Sequence, residues 1–179
     1  MEDKKEKLPS TRIQWYPGHM AKTKREIIED LKLIDVVIEI LDARIPISSQ
    51  NPDIKNIIAR KKKIVLLNKC DLADEVETKK WMEYFEKQGL PVVLVNSNDG
   101  KGIIQVISRI EDVMKEEIEE NEKKGRVGKI IRVLILGIPN VGKSSFINRV
   151  SKKTTAKVGN RPGVTTQKQW IRVAKNNSK

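Results

Sequence analysis

Residues 137–144 read GIPNVGKS, and the apolar run IIRVLIL (130–136) leads straight into them. The pattern G-x-x-x-x-G-K-[ST] carries a mechanism only between a strand and a helix. Both neighbours are predicted here, a strand over 130–136 and a helix over KSSFINRVS, 143–151. Gly137 and Gly142 let the backbone bend tightly, and the loop through Asn140, Val141 and Ser145 turns its N–H groups toward phosphate oxygens. Lys143 brings a point charge to the terminal phosphates and belongs with the catalytic candidates. The Ser144 hydroxyl suits Mg²⁺, and the helix N-terminus adds its partial positive charge.

A second signal lies upstream. NKCD (68–71) follows the apolar run KIVLL. The Asp71 carboxylate only accepts hydrogen bonds, and guanine offers two adjacent donors, N1–H and the 2-amino group. Adenine lacks that pair, so a site built on it rejects adenine strongly. Asn68 can hold the loop and reach the Hoogsteen edge, while the Lys69 stem lies along the base plane. Cys70 fills the variable position and is expected to be inert. The bland alternative is a strand-end turn in which Asp71 caps the next helix. NSNDGKG (96–102) follows a third apolar run, and Ser97 and Asn98 stand where a guanine site closes with a backbone N–H to O6. Asn-Asp-Gly residues also form turns without any ligand. The D-x-x-G match at Asp99–Gly102 lies on the base side and is discounted.

The rest of the chain supplies the frame. Its 179 residues are 38% hydrophobic and 34% charged, which suits a single soluble domain with a real core. No apolar run approaches a membrane span, the N-terminus lacks a signal-peptide core, and one cysteine excludes an internal disulfide. A cytoplasmic monomer without membrane contact is expected. The net charge of +12 is uneven: residues 123–179 contain no Asp or Glu, while EDVMKEEIEENE (111–122) is acidic. A basic surface of this kind attracts phosphate backbones, RNA above all.

Strands are predicted over 35–41, 63–68, 91–96, 130–136 and 166–174, the last one perhaps at an edge. Helices are predicted over 20–34, 52–62, 75–89, 103–123 and 143–151. Alternating strands and helices mean an α/β domain whose mostly parallel sheet is covered on both faces. DARIP (42–46), NKCD, NSNDG and GIPNVGKS each follow a strand, so all four loops gather on one sheet edge, where such sheets bind ligands. The base loop nevertheless precedes the phosphate loop. Joining the old termini through the acidic helix and KKGRVGK (123–129), and cutting elsewhere, produces that order: a circular permutation.

WYPGHM (15–20), DARIP, NKCD, GIPNVGKSS and NRPGVTTQKQW (160–170), in that order, resemble the circularly permuted GTPases of the YlqF/RbgA type. The resemblance covers nearly the whole chain. It implies a P-loop NTPase fold, a circularly permuted Ras-like GTPase domain that hydrolyses GTP to GDP during large-subunit ribosome assembly. Residues 1–19 would be an N-terminal arm and 20–179 the domain, with 20–122 recognising guanine and 123–179 binding phosphate. The family's switch threonine maps to Thr165, a second Mg²⁺ ligand and catalytic candidate, with Thr166 as the alternative. His19 is the only histidine and can orient the attacking water, or can simply cap and pack. Asp42 and Arg44 either order the N-terminal segment or form a plain strand-end turn.

Two departures from the family matter. The chain stops at AKNNSK, before the strand that ends in Asp-x-Pro-Gly, and it lacks the family's C-terminal helical domain. The domain is therefore expected to be incomplete at its C-terminus, without the usual outer-sphere Mg²⁺ carboxylate. Two functions compete: a GTPase switch on ribosomal particles, and a nucleotide-dependent RNA- or ribosome-binding module with negligible hydrolysis in this form.

Overall fold

A computed structural model describes residues 28, 31–52, 56, 58, 60–126, 130–153, 157–159 and 167–171. The elements run β1 (Val36–Asp42), β2 (Lys62–Asn68), α1 (Glu75–Glu86), β3 (Val92–Val95), α2 (Ile103–Lys123), β4 (Ile131–Leu136), α3 (Lys143–Lys153), β5 (Lys157–Gly159) and β6 (Gln167–Ile171). They form one sheet of order β3-β2-β1-β4-β6-β5. The first four strands are mutually parallel, and β6 and β5 add antiparallel pairings.

The burial pattern explains why these runs are strands. Every residue of β1 is buried, as expected of a parallel strand covered on both faces. Alternate residues serve opposite faces. Val36, Ile38, Ile40, Ile64, Leu66, Ile131, Val133 and Ile135 pack against Ile103, Val106, Ile110 and Met114 of α2 and Phe146, Ile147 and Val150 of α3. On the other face, Leu41, Val65 and Leu67 meet Phe85 of α1, while Val37, Leu134 and Leu136 meet Leu31, Ile34 and Ile58. Glu39 and, at the strand's end, Asp42 are the charged exceptions in β1. The buried Glu39 carboxylate pairs with the Lys63 ammonium of β2 at 2.5 Å, which compensates a charge taken out of water.

Local signals set the helix ends. The Asp74 side chain accepts from the N–H groups of Val76 and Glu77 and starts α1. The helix closes as Gly89 N–H donates to Glu86 O and Leu90 N–H to Phe85 O, the paired bonds of a Schellman end. The regular helix therefore stops at Glu86, three residues before the glycine that ends it. In α2 the buried positions 103, 106, 110 and 114 make one apolar stripe, so the acidic residues fall on the remaining surface.

Two expectations change and a third lies mostly outside the described residues. The strand expected over 166–174 spans Gln167–Ile171 and lies between β4 and β5, so it is not an edge strand. The edge is β5, whose three residues are too few for any periodic signal. The helix expected over 52–62 gives up Lys62 to β2, although Pro52 and Asn56 are helical. The helix expected over 20–34 lies largely outside the described residues, with Ile28 and Leu31 helical within it.

Candidate functional site

β1, β2, β3 and β4 all point the same way, so the four loops that follow them gather along one edge of the sheet. Between the loops lies a cleft of about 490 Å³, within the range of small-molecule sites. Arg44, Asn68, Lys69, Leu72, Ser97, Asn98, Asn140, Gly142, Lys143, Ser144 and Ser145 all contribute to its wall. Most of the residues singled out from sequence are thus brought to one place.

Asn68 ties three of the loops together. Its Nδ2 donates to the Val141 carbonyl at 2.7 Å, and its Oδ1 accepts from the Ser97 N–H at 3.1 Å and the Ser97 hydroxyl at 2.9 Å. All of these groups are buried, where leaving a partner unpaired is costly. A glycine is required opposite. A Cβ on Gly142 would collide with Asn68 Nδ2, and its φ of 99° lies where side chains are strained. A Cβ on Gly137 would stand 2.6 Å from the Ile40 carbonyl, so β1 forbids a side chain at the other end of the loop.

Lys69 adds a second tie. Its φ of 60° and the φ of 66° at Asn140 are the two positive values at non-glycine positions among the described residues. The Lys69 ammonium donates to the Asn140 carbonyl at 2.8 Å and to Asp42 Oδ2 at 3.0 Å. Asp42 is buried and also receives a fork from Arg44, Nε to Oδ1 at 2.9 Å and Nη2 to Oδ2 at 2.7 Å. The Arg44 bonds, joined by Lys69, hold the Asp42 carboxyl well below the usual carboxylate range despite its burial. Asp42 is thus committed to two cations. Sequence reading left this loop open between ordering the N-terminal segment and a plain turn. Among the described residues it is fastened to the loop after β2, also through Ala43 N–H to Asn68 O at 2.8 Å.

The phosphate-loop lysine is 8% exposed, and its ammonium donates to the carbonyls of Gly137 at 2.9 Å and Ile138 at 2.6 Å. Burial pushes the Lys143 pKa down from 10.5 to about 8. Ser144 and Ser145 are exposed at the mouth of the cleft. A buried cation beside a helix N-terminus, below a loop that admits no side chain at two points, is suited to an anion such as a phosphate chain. Among the described residues no three His, Cys, Asp or Glu side chains gather into a metal site. A divalent ion here would rest on the Ser144 hydroxyl, phosphate oxygens and water.

Asp71 is exposed within the 3-10 turn Cys70–Leu72, between the cleft-lining residues Lys69 and Leu72 in sequence, and is not itself among the residues that line the cleft. It does not cap α1, because Asp74 does, so the bland reading of NKCD as a capping turn loses its reason. Burial raises the pKa of Cys70, which keeps it a thiol, as an inert residue should be. In the loop after β3, Asn98 N–H donates to Asn96 Oδ1, and Asp99 accepts from Asn96 Nδ2 and Lys101 N–H. These bonds make the D-x-x-G match a self-closed turn. His19 and Thr165 lie outside the described residues.

Comparisons with known proteins agree with this geometry. Residues 132–179 match the family model described as a 50S ribosome-binding GTPase. The chain is 53% identical over 163 residues to Ribosome biogenesis GTPase A of Bacillus licheniformis, covering 91% of this chain and 58% of that protein. The same-named protein of Thermotoga maritima is 38% identical over 159 residues, covering 89% of this chain and 53% of the relative. The chain therefore spans little more than half the length of these relatives. Among solved structures, GNP-bound YlqF from T. maritima superposes with a TM-score of 0.56 at 31% identity, covering 83% of this chain and 56% of the other. The base loop, closing turn and phosphate loop stand in permuted order around one cleft, and relatives match across nine-tenths of the sequence: the chain belongs to the YlqF/RbgA-type circularly permuted GTPases.

Proposed function

We propose that the chain binds guanine nucleotides and hydrolyses GTP to GDP as a switch in assembly of the large ribosomal subunit. The observation that carries this reading is Asn68, which joins the base loop to the closing turn and to the phosphate loop at hydrogen-bond distance. One nucleotide can therefore span both loops. The relatives' names, Ribosome biogenesis GTPase A among them, supply the ribosomal context.

Each residue has a task. The Asp71 carboxylate pairs with the guanine N1–H and 2-amino group. Lys69 lays its stem beside the base and holds the two loops together. Lys143 exchanges its carbonyl partners for phosphate oxygens as charge develops between the phosphates, a stabilisation by a preorganised cation in a shielded site. Mg²⁺, when bound, neutralises phosphate charge, and Ser144 is its ligand among the described residues. Thr165 serves as the second ligand and switch residue, and His19 orients the attacking water. The carboxylate-free stretch 123–179 contacts rRNA through its basic surface, and the protein acts in the cytoplasm as a monomer.

A second reading, a nucleotide-dependent ribosome-binding module without turnover, is favoured by one observation. Among the described residues no carboxylate lines the cleft, and Asp42 is committed to Arg44 and Lys69. Turnover of GTP measured with and without large ribosomal subunits separates the two. Stimulated turnover supports the switch. Nucleotide-dependent subunit binding without turnover supports the module, and equal affinity for GDP and ADP defeats both.

A further inference from the structure

The loop after β1 stands against the cleft without a task in the reading above, and its contacts are specific. Arg44 lines the cleft together with Lys69 and Leu72. Its guanidinium spends Nε and Nη2 on Asp42, at 2.9 and 2.7 Å, while about half of its side-chain surface stays exposed. A guanidinium whose hydrogen-bonding fork is already occupied offers a flat, cationic face. Such a face stacks on an aromatic ring and is poorly placed to grip a phosphate, which needs the fork itself. Bonds to Asp42 raise the Arg44 pKa first, and the Asp71 charge adds to this, so the guanidinium stays a cation. Asp42 meanwhile shares Oδ2 between Arg44 and Lys69, and Lys69 reaches the Asn140 carbonyl.

We propose that Asp42 and Arg44 form a further nucleoside-holding element, in which the Arg44 guanidinium is a plate for the guanine face and Asp42 is the positioning residue that pins both Arg44 and Lys69. The element rests on the guanine-nucleotide reading. It also gives the DARIP segment a role in retaining nucleotide. Arg44 confers no base identity, since every purine has a flat face, and Asp71 keeps that task.

The test follows release of a fluorescent GDP analogue by stopped flow, with inorganic tripolyphosphate binding as a readout of the phosphate loop alone. Arg44→Ala is expected to speed release roughly fivefold. Arg44→Lys should speed it nearly as much, because it keeps the charge and loses the plane. Asp42→Asn is expected to speed release roughly tenfold, since it weakens two charge-assisted bonds. Tripolyphosphate affinity should stay within about twofold in all three. Wild-type release rates in Arg44→Lys, or weakened tripolyphosphate binding in Arg44→Ala, would overturn the inference while leaving guanine binding intact. If the unaltered chain holds tripolyphosphate but not GDP, the guanine reading fails and this element falls with it. Should Asp42→Asn fold poorly, the exposed Arg44 pair still decides the matter.

Discussion

The loop after β2 hangs on side chains, whereas the loop after β4 hangs on its own backbone. Asn68 and Lys69 reach out to Ser97, Val141, Asn140 and Asp42, so the base loop takes its shape from partners in three other segments. The phosphate loop takes its shape from glycines pressed against neighbours and from a lysine folded onto the carbonyls of Gly137 and Ile138. The lesson concerns division of labour. On the proposed reading, a part that must tell one base from another is built from replaceable side chains. A part that grips any phosphate chain is built from the peptide unit that every residue carries.

Four measurements press on that contrast. The largest effect belongs to the base loop: Asp71→Asn should lower GDP affinity on the order of a thousandfold, because one of the two acceptor oxygens becomes an N–H₂ donor facing a guanine donor and the charge is lost. Tripolyphosphate binding should not move. A parallel loss of tripolyphosphate binding would mean that the loops do not divide the work. Next comes Asn68→Ala, which strands the Ser97 hydroxyl and N–H and the Val141 carbonyl, and should cost about 3 kcal/mol in chemical denaturation. A cost below about 1 kcal/mol would show that the loops hold together without it. Gly142→Ala attacks the same junction from the phosphate side and should cost about 2 kcal/mol, part backbone strain and part displacement of Asn68. In the Asn68→Ala background its cost should shrink, and a purely additive double mutant would refute the contact as its source.

The smallest effect is one of pH. The Lys143 pKa falls from 10.5 to about 8 on folding, so between those values the unfolded chain holds a proton that the folded chain has lost. Stability from this group therefore rises with pH across that window and falls away as pH drops through about 8. Phosphate binding needs the charged form. Nucleotide affinity should thus decline above pH 8 by at most about tenfold per unit, with proton uptake detectable by calorimetry in buffers of different ionisation heat. Affinity that stays flat from about pH 7.5 to pH 9.5 would place the lysine charge outside the binding step.

The contrast also explains what could be read in advance. Four strands, the long helix over 103–123 and both loops are visible in the sequence because each is a local pattern: an apolar run, an amphipathic stripe, a glycine spacing. The gathering of the four loops on one sheet edge follows from parallel strand direction, so it too was legible, whereas the bonds from Asn68 to Ser97 and Val141 were not. The fastening of Asp42 to Lys69 was not, since it joins positions 27 residues apart through a side-chain choice that no period encodes. The position of β6 beside β4 escaped for a similar reason: pairing partners are a property of the whole sheet. Three-residue β5 carries no pattern at all.

One further consequence belongs to the pairing of β1 with β4. On the proposed reading the stretch through Lys123 supplies the base-reading part and the stretch from Ile131 the phosphate-gripping part, and their meeting line is a row of inter-strand bonds from Val36 opposite Val133 to Glu39 opposite Leu136. Covalent continuity between them is incidental to that seam. Two polypeptides expressed from separate genes, one ending after α2 and one starting before β4, are therefore expected to associate along the seam, and co-purification of the halves checks it. Nature's choice of where to open the ring is then free to answer to translation, transport or docking rather than to chemistry.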